Sequence, residues 1–469
     1  MLTYDLDKRG STPLYDYLYQ CIRQDIISGR LQAGERLPSK RTLAQHLSVG
    51  IITVANAYAQ LAVEGYITSR EKKGYFVEDV SSYRVRRKTV AAMLPEAAER
   101  EYFADFKANR ISLQNFPLAT WTRLMRETLS VHNEELLKTV PYKGVYELRK
   151  AIAAYLAHNR AMQVDPSQII IGAGTEYLYG RLLQMFGHAC TFAIEEPGYK
   201  QFASISASFG NPWKYIPIDD NGLMIDKLEE SGADVVHLSP ANHFPTGIVM
   251  PVTRRLELFE WVNRIRKRYI IEDDYDSEFR YTGRFILPLY AQDTQSRVIY
   301  MNTFSKSLVP SLRISYMVLP PRLLERYEQT MSFYSCTVSS FEQYTLARFI
   351  SEGYFERHIN KMKNYYREQR HKILAAIHSS PLAAVSQITE RNAGTHFVLH
   401  INTKLTEAEV RKAALAADMC LSFYSDYSHN TEENDGCTLV INYAAIEADK
   451  IAAVIERLSS LFPECNQIS

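Results

Sequence analysis

The chain has 469 residues, 46% of them hydrophobic and 23% charged, with a formal net charge of +1. That length supplies more than one domain, and the near-neutral balance excludes a whole-chain field drawing it to nucleic acid or membrane. Any DNA contact must come from a local surface. Six cysteines (Cys21, Cys190, Cys336, Cys420, Cys437, Cys465) lack paired short spacing. This argues against a zinc site or a disulfide framework and fits a reducing cytosol. Met1-Leu2-Thr3-Tyr4-Asp5 does not open a signal peptide, and no apolar run is long enough to span a bilayer. A cytoplasmic protein without a membrane partner is expected.

Thr12-Pro13 reads as a helix start, with Thr12 as N-cap and Pro13 at the first helical position. Leu14, Leu18, Ile22 and Ile26 recur at one-turn spacing, and Gly29 ends the helix. After the loop Leu31–Pro38, Ser39 caps a second helix carrying Leu43, Ala44 and Leu47. A third helix is predicted from about Ile51 to Val63. Its inner face holds Val54, Tyr58 and Leu61; Ile52, Thr53, Asn56 and Gln60 lie opposite. Two strands, Tyr66–Arg70 and Tyr75–Val77, flank the charged hairpin Glu71-Lys72-Lys73-Gly74. Three short helices and a basic-tipped hairpin make a winged helix-turn-helix. Ile52, Thr53 and Asn56 are the candidate major-groove readers. Ser39, Lys40 and Arg41, with Lys72, Lys73 and Gly74 in the wing, are the candidate phosphate contacts. The alternative is a small protein-interaction domain with solvated charges.

This domain spans 1–78. Residues 79–104 lack an apolar period and read as a linker, with a basic cluster at Arg84-Val85-Arg86-Arg87-Lys88 that touches DNA or is simply solvated. From 105 to 469 the texture changes. Apolar runs (Ile169–Ile171, Thr191–Ile194, Val235–Leu238, Tyr269–Ile271, Val298–Tyr300) alternate with helical stretches, the rhythm of a mostly parallel sheet wrapped by helices. Ligands sit at the strand carboxyl ends of such sheets, and the motifs fall there.

These motifs are Gly172-Ala173-Gly174-Thr175, Tyr199 after Glu195-Glu196-Pro197-Gly198, and Ser239 to Gly247 with its Pro-Thr-Gly. Two more are Glu272-Asp273-Asp274-Tyr275-Asp276 and Thr303-Phe304-Ser305-Lys306 through Arg313. A lysine between buried strands is costly if charged and unpaired. With neighbouring hydroxyls and an arginine it reads as a Schiff-base lysine for pyridoxal 5′-phosphate, the phosphate held by Thr303, Ser305 and Arg313. A carboxylate cluster at a strand end suggests a metal or another cation partner; for this cofactor, one buried aspartate must hold the pyridine nitrogen protonated.

Two resemblances follow. Leu37-Pro38-Ser39-Lys40-Arg41-Thr42-Leu43-Ala44, Thr53-Val54 through Leu61, Glu64-Gly65-Tyr66 and Gly74-Tyr75-Phe76-Val77 resemble the GntR-type winged helix. Relatives commonly carry Ser-Arg where Gly50-Ile51 stands, so operator sequence does not transfer. The motif order of the large domain resembles the fold type I aminotransferases, with a smaller C-terminal α/β subdomain implied. The whole chain, with Glu272 through Tyr281, is similar to the MocR subfamily of GntR regulators. The resemblance implies Lys306 as the cofactor's Schiff-base residue, Asp273 at the pyridinium and Tyr275 at the phenolic oxygen. It puts Tyr199 on the ring and Gly174, Thr175, Thr303, Ser305 and Arg313 around the phosphate. It also implies a homodimer on paired DNA half-sites, each winged helix packed on the other subunit's large domain.

Three departures bear on function. Val440 replaces the arginine that holds a substrate carboxylate in aminotransferases, and Gln201 replaces a second arginine of a relative responsive to 4-aminobutyrate. Phe244 stands where enzymes place asparagine; Asn242 or His243 is a candidate substitute. These favour a regulator sensing the cofactor or a small amine or amino acid, with 4-aminobutyrate disfavoured. A working aminotransferase with an accessory N-terminal domain is the alternative.

Overall fold

The computed structural model describes residues 2–80, 100–107, 115–131, 134–281, 285–391, 394–429 and 436–467. The chain divides into two compact units, Met1–Glu99 and Arg100–Ser469. The basic cluster at 84–88 lies outside the described residues. Residues 100–104, read as linker, join the large unit instead: Phe103 N–H donates to Asp418 O, and Ala104 pairs with Met419.

The small unit contains α1 (Leu14–Ile27), α2 (Lys40–His46), α3 (Ile51–Val63) and an antiparallel hairpin of β1 (Ile67–Arg70) and β2 (Gly74–Val77). The α1 start differs from expectation. Pro13, with extended ψ of 141°, is itself the N-cap, and no side chain caps the helix. Ser39 does cap α2, its Oγ accepting Thr42 N–H at 3.1 Å. Leu18, Ile22, Ile26, Leu43, Val54, Tyr58, Leu61, Ile67 and Val77 form one core. Tyr58 is fully buried, and its hydroxyl donates to Pro38 O at 3.0 Å, tying α3 to the loop before α2.

The large unit is built on an eight-stranded sheet. In chain order its strands follow the short β3 (Ala104–Asp105). They are β4 (Ile169–Gly172), β5 (Phe192–Glu196), β6 (Trp213–Asp219), β7 (Gly222–Leu223), β8 (Val235–Leu238), β9 (Tyr269–Asp273), β10 (Val298–Thr303) and β11 (Ser315–Val318). The spatial order is β4-β11-β10-β9-β8-β5-β6-β7. From β6 through β5, β8, β9 and β10 the pairs are parallel; β11 runs antiparallel to both its neighbours. Alternate residues feed opposite faces, as pleating demands. Ile170, Ile271, Ile299 and Met301 pack with Leu178, Tyr179 and Leu182 of the helix Thr175–Phe186, whereas Ile169, Ile171 and Tyr300 join the core on the other side. Both faces are covered, which is why these strands read as continuous apolar runs.

A second, antiparallel sheet of β12 (Ser386–Thr389), β13 (His396–Ile401) and β15 (Cys437–Asn442) forms the C-terminal subdomain with the helices Glu407–Ala416 and Ile451–Ser459. The two-residue β14 (Met419–Cys420) pairs with β3. Among the described residues no helix is long and apolar enough to cross a membrane.

Below the carboxyl end of β9 lies a buried polar network. Arg160 pairs with Asp274, which also accepts from Tyr300 Oη at 2.6 Å and Ser277 Oγ at 2.9 Å. Both ions are almost fully buried. Removing one partner leaves an uncompensated buried charge, a change that typically costs roughly 3–5 kcal/mol. Asp274→Ala is therefore expected to lower the urea-unfolding stability of the chain by about that amount. Arg160→Met in the same background should recover part of the loss. A loss of under ~1 kcal/mol for the single variant would contradict this account.

Candidate functional site

A cavity of about 290 Å³ opens where the carboxyl ends of β4, β5, β8, β9 and β10 face the C-terminal subdomain. All nine residues expected around a cofactor line it: Gly174, Thr175, Tyr199, Asp273, Tyr275, Thr303, Ser305, Lys306 and Arg313. Lys306 sits on a four-residue helix, Phe304–Ser307, whose N-cap Thr303 accepts Ser305 N–H at 3.1 Å. Burial drives its amine below the usual lysine value, opposed by the charge of Asp276. The neutral amine, the nucleophilic form, is thereby favoured.

The Glu272–Asp276 cluster is divided among distinct partners rather than shared by one cation. Glu272 accepts Leu289 N–H and Tyr290 N–H at 2.8 and 2.9 Å. Asp274 belongs to Arg160. Asp276 accepts Asn242 Nδ2 at 2.7 Å. Asp273 alone of the four lines the cavity, and its Oδ1 is buried with no hydrogen-bond partner. Burial first, then Asp274, pushes its carboxyl up to about 7. His237, on the adjacent strand, has Nε2 3.7 Å from Asp273 Oδ2; burial pushes its imidazole down to about 3, so it stays neutral. An unsatisfied buried carboxylate oxygen is costly until a cationic N–H meets it, which suits a pyridinium nitrogen.

At the other end, Gly174 precedes the helix Thr175–Phe186 with φ of +104° and no side-chain cap. A Cβ there would lie 2.5 Å from Arg313 Nη2. Arg313 is half exposed and pairs with Glu176 at 2.9 Å. Thr303 Oγ1 accepts from Ser305 N–H and from Ser315 Oγ at 2.8 Å, leaving its own proton to donate outward. A helix N-terminus, hydroxyls and a guanidinium together suit a phosphate. The donor set thus fits pyridoxal 5′-phosphate at both ends.

The structure also places the neighbours singled out for their departures, and some that were not. Asn242 braces the site: Tyr275 Oη donates to Asn242 O at 3.1 Å, while its amide holds Asp276. His243 is buried and bonded to Thr246 Oγ1 at 2.7 Å; it does not line the cavity. Phe244 does, its ring edge-on to Tyr427 at 4.7 Å and His396 at 4.8 Å. Glu195 lines the wall with its carboxyl pushed by burial up to about 8. Val440 lines the cavity, whereas Gln201 is exposed and does not. His237 lies inside the apolar run Val235–Leu238, where nothing in its spacing marks it; Glu195 belongs to the motif ending at Tyr199, which gives it no role of its own. Lys107, just after β3, also lines the cavity.

In the small unit Ile52 and Asn56 are exposed along α3, and Thr53 is half-buried. Ile52 is 76% exposed. Lys72 and Lys73 are exposed at the wing tip; Gly74 opens β2, and a Cβ there would lie 3.3 Å from Arg36 Nε. Arg41 is exposed, but Lys40 lies over the Tyr75 ring at 5.0 Å and Ser39 is engaged as a cap.

The Asp273 carboxyl yields a pH prediction. In the folded, cofactor-free chain it keeps its proton up to about 7; unfolded, it loses it near pH ~4. Between those values the folded state binds more protons, so stability falls as pH rises and levels off above the folded value. Asp273→Asn lacks this term. Its urea midpoint should therefore rise relative to wild type between about pH 4 and pH 7. A pH-independent difference would show that Asp273 is not buried as described.

Comparison with known proteins places this geometry. Residues 104–458 match the family "Aminotransferase class I and II", and residues 14–77 match "Bacterial regulatory proteins, gntR family". The chain is 36% identical over 462 residues to the helix-turn-helix type transcriptional regulator YdeL of Bacillus subtilis, covering 98% of this chain and 99% of that one. It is 30% identical to the probable rhizopine catabolism regulatory protein MocR of Rhizobium meliloti, over 97% of this chain and 95% of that one. The multiple substrate aminotransferase of Thermococcus profundus shares the fold, with a TM-score of 0.69 at 22% identity, covering 83% of this chain and all of that one. The chain therefore belongs to the MocR-like GntR transcriptional regulators, in which a DNA-binding winged helix is joined to a class I and II aminotransferase domain whose cofactor is pyridoxal 5′-phosphate.

Proposed function

We propose that the large unit is a sensor whose cavity, loaded with pyridoxal 5′-phosphate, binds a small amine or amino acid and thereby alters DNA binding. The observation that carries this reading is Val440. The residues suited to the cofactor surround the cavity, yet the wall where an aminotransferase places its carboxylate arginine presents a valine. When bound, the cofactor supplies a reactive carbonyl and an electron-withdrawing ring. Lys306 supplies the amine that anchors it. Asp273 holds the ring nitrogen's proton, oriented beside neutral His237. Tyr275, braced by Asn242, meets the phenolic oxygen, and Tyr199 covers the ring. Gly174, Thr175, Thr303, Ser305 and Arg313 cradle the phosphate. A homodimer in the cytoplasm completes the proposal: two winged helices meet paired half-sites, each packed on its partner's large unit. The ligand changes regulation only if it binds the chain's DNA-competent and DNA-incompetent states unequally.

Promoter binding by the purified full chain, with and without the cofactor and across a panel of amines, tests this reading. Unchanged binding throughout sinks it, and rapid amino-group exchange between amino and keto acids would favour the enzyme. Lys306→Ala should abolish the visible absorbance of lysine-linked cofactor while leaving the circular dichroism spectrum intact. For the wing, Lys72→Ala/Lys73→Ala should weaken binding across all DNA sequences and lower the slope of log affinity against log salt by about 2. A sequence-selective loss with an unchanged slope would remove these lysines from the phosphate contacts.

A further inference from the structure

Among the described residues lining the cavity, the cations are Lys107, Lys306 and Arg313. Arg313 lies with Gly174, Thr175 and Glu176 at one end, and Lys306 anchors the cofactor. Lys107 has neither task. It follows β3, and its Nζ pairs with Asp426 Oδ2 at 2.8 Å. Asp426 lies in the turn Tyr424–Tyr427, whose last residue lines the cavity. Tyr427 Oη is hydrogen-bonded to Ser422 Oγ at 2.7 Å, and Val440 N–H donates to Ser422 O at 2.8 Å. This chain of contacts places Lys107 on the same wall as Val440, the position where the arginine is missing.

We propose that Lys107 binds the carboxylate of an amino-acid effector, exchanging Asp426 for the ligand. This rests on the reading that an amine enters the cofactor-loaded cavity. The exchange is open to a ligand because the Lys107 side chain is 41% exposed, and so exposed an ion pair is weak. Asp426 stays compensated after losing Lys107: its Oδ1 accepts Arg411 Nη2 at 2.7 Å and its Oδ2 accepts Phe423 N–H at 3.1 Å. Ser422 and Tyr427 offer neutral hydroxyls for the second carboxylate oxygen. A lysine is a point charge on a flexible stem, without the planar fork of arginine, so it grips a carboxylate over a range of ligand lengths.

The test is calorimetric titration of the cofactor-loaded full chain with L-alanine, β-alanine and 4-aminobutyrate. Each is set against the amine lacking its carboxyl group: ethylamine for the first two, propylamine for the last. At least one acid should bind tenfold or more tighter than its amine. Lys107→Met should remove that preference while leaving amine binding within about twofold, and Lys107→Arg should restore it. Asp426→Asn, which frees Lys107, should tighten the acids alone. Equal binding of acids and amines, or an acid preference that survives Lys107→Met, overturns the Lys107 site and leaves the sensor reading standing. No binding of any acid or amine to the loaded chain overturns both.

Discussion

Desolvation at the carboxyl end of β9 is the constraint from which the site follows. Five consecutive residues, Glu272 to Asp276, bring four carboxyl groups into the protein interior, where an ionised carboxylate is expensive unless paired. Glu272 is settled by two backbone N–H groups, Asp274 by Arg160, Asp276 by the Asn242 amide. Asp273 keeps one buried oxygen with no partner, held beside an imidazole that burial keeps neutral. A protonated ring nitrogen, in the role proposed for this site, would supply the missing partner. The same burial lowers the Lys306 amine, so one physical effect acts on both groups proposed to meet the cofactor.

How much of this was legible depended on the kind of signal. The α3 bounds, Ile51–Val63, follow from period and from Gly65, and they match. The central strands were legible because both of their faces are covered, so their residues form mostly apolar runs. Strand β6 was not: its Lys214 and Pro217 interrupt the apolar run, and only Ile216 is fully buried. Lys306 read as lying in a loop between strands because a four-residue helix is too short to show a period. The start of α1 shifted because proline with extended ψ sits outside the helix it precedes.

Residues that line a cavity from strand ends were legible only when a motif marked them. Glycine, threonine, serine and arginine around an anion, and an aspartate at a strand end, have chemical reasons to cluster. Asn242 stayed ambiguous because its role is through others: its carbonyl takes the Tyr275 hydroxyl and its amide takes Asp276. His237 sits in an apolar run and Glu195 in a motif read only for its tyrosine, and only the fold reveals that both face the cavity.

The same distinction bears on ligand choice. Position-by-position reading found two arginines replaced and concluded that a carboxylate had lost its holder. That logic treats a binding site as a set of aligned columns. A wall is a three-dimensional object, and a cation can arrive on it from a remote segment. Lys107 lies 333 positions before Val440 in the chain, yet Val440, Ser422, Tyr427, Asp426 and Lys107 form one linked run of contacts. An arginine within β15 would be a fixed fork committed to one geometry. A lysine held by a neighbouring aspartate is instead a cation under competition, released only when a better anion is present. Under the proposed exchange, occupancy would follow ligand concentration without demanding tight binding, and each exchange would alter the contact between Lys107, just after β3, and the turn Tyr424–Tyr427. A group that changes partner on binding gives the two states of a sensor different interactions, and an unequal interaction is what any shift of equilibrium requires.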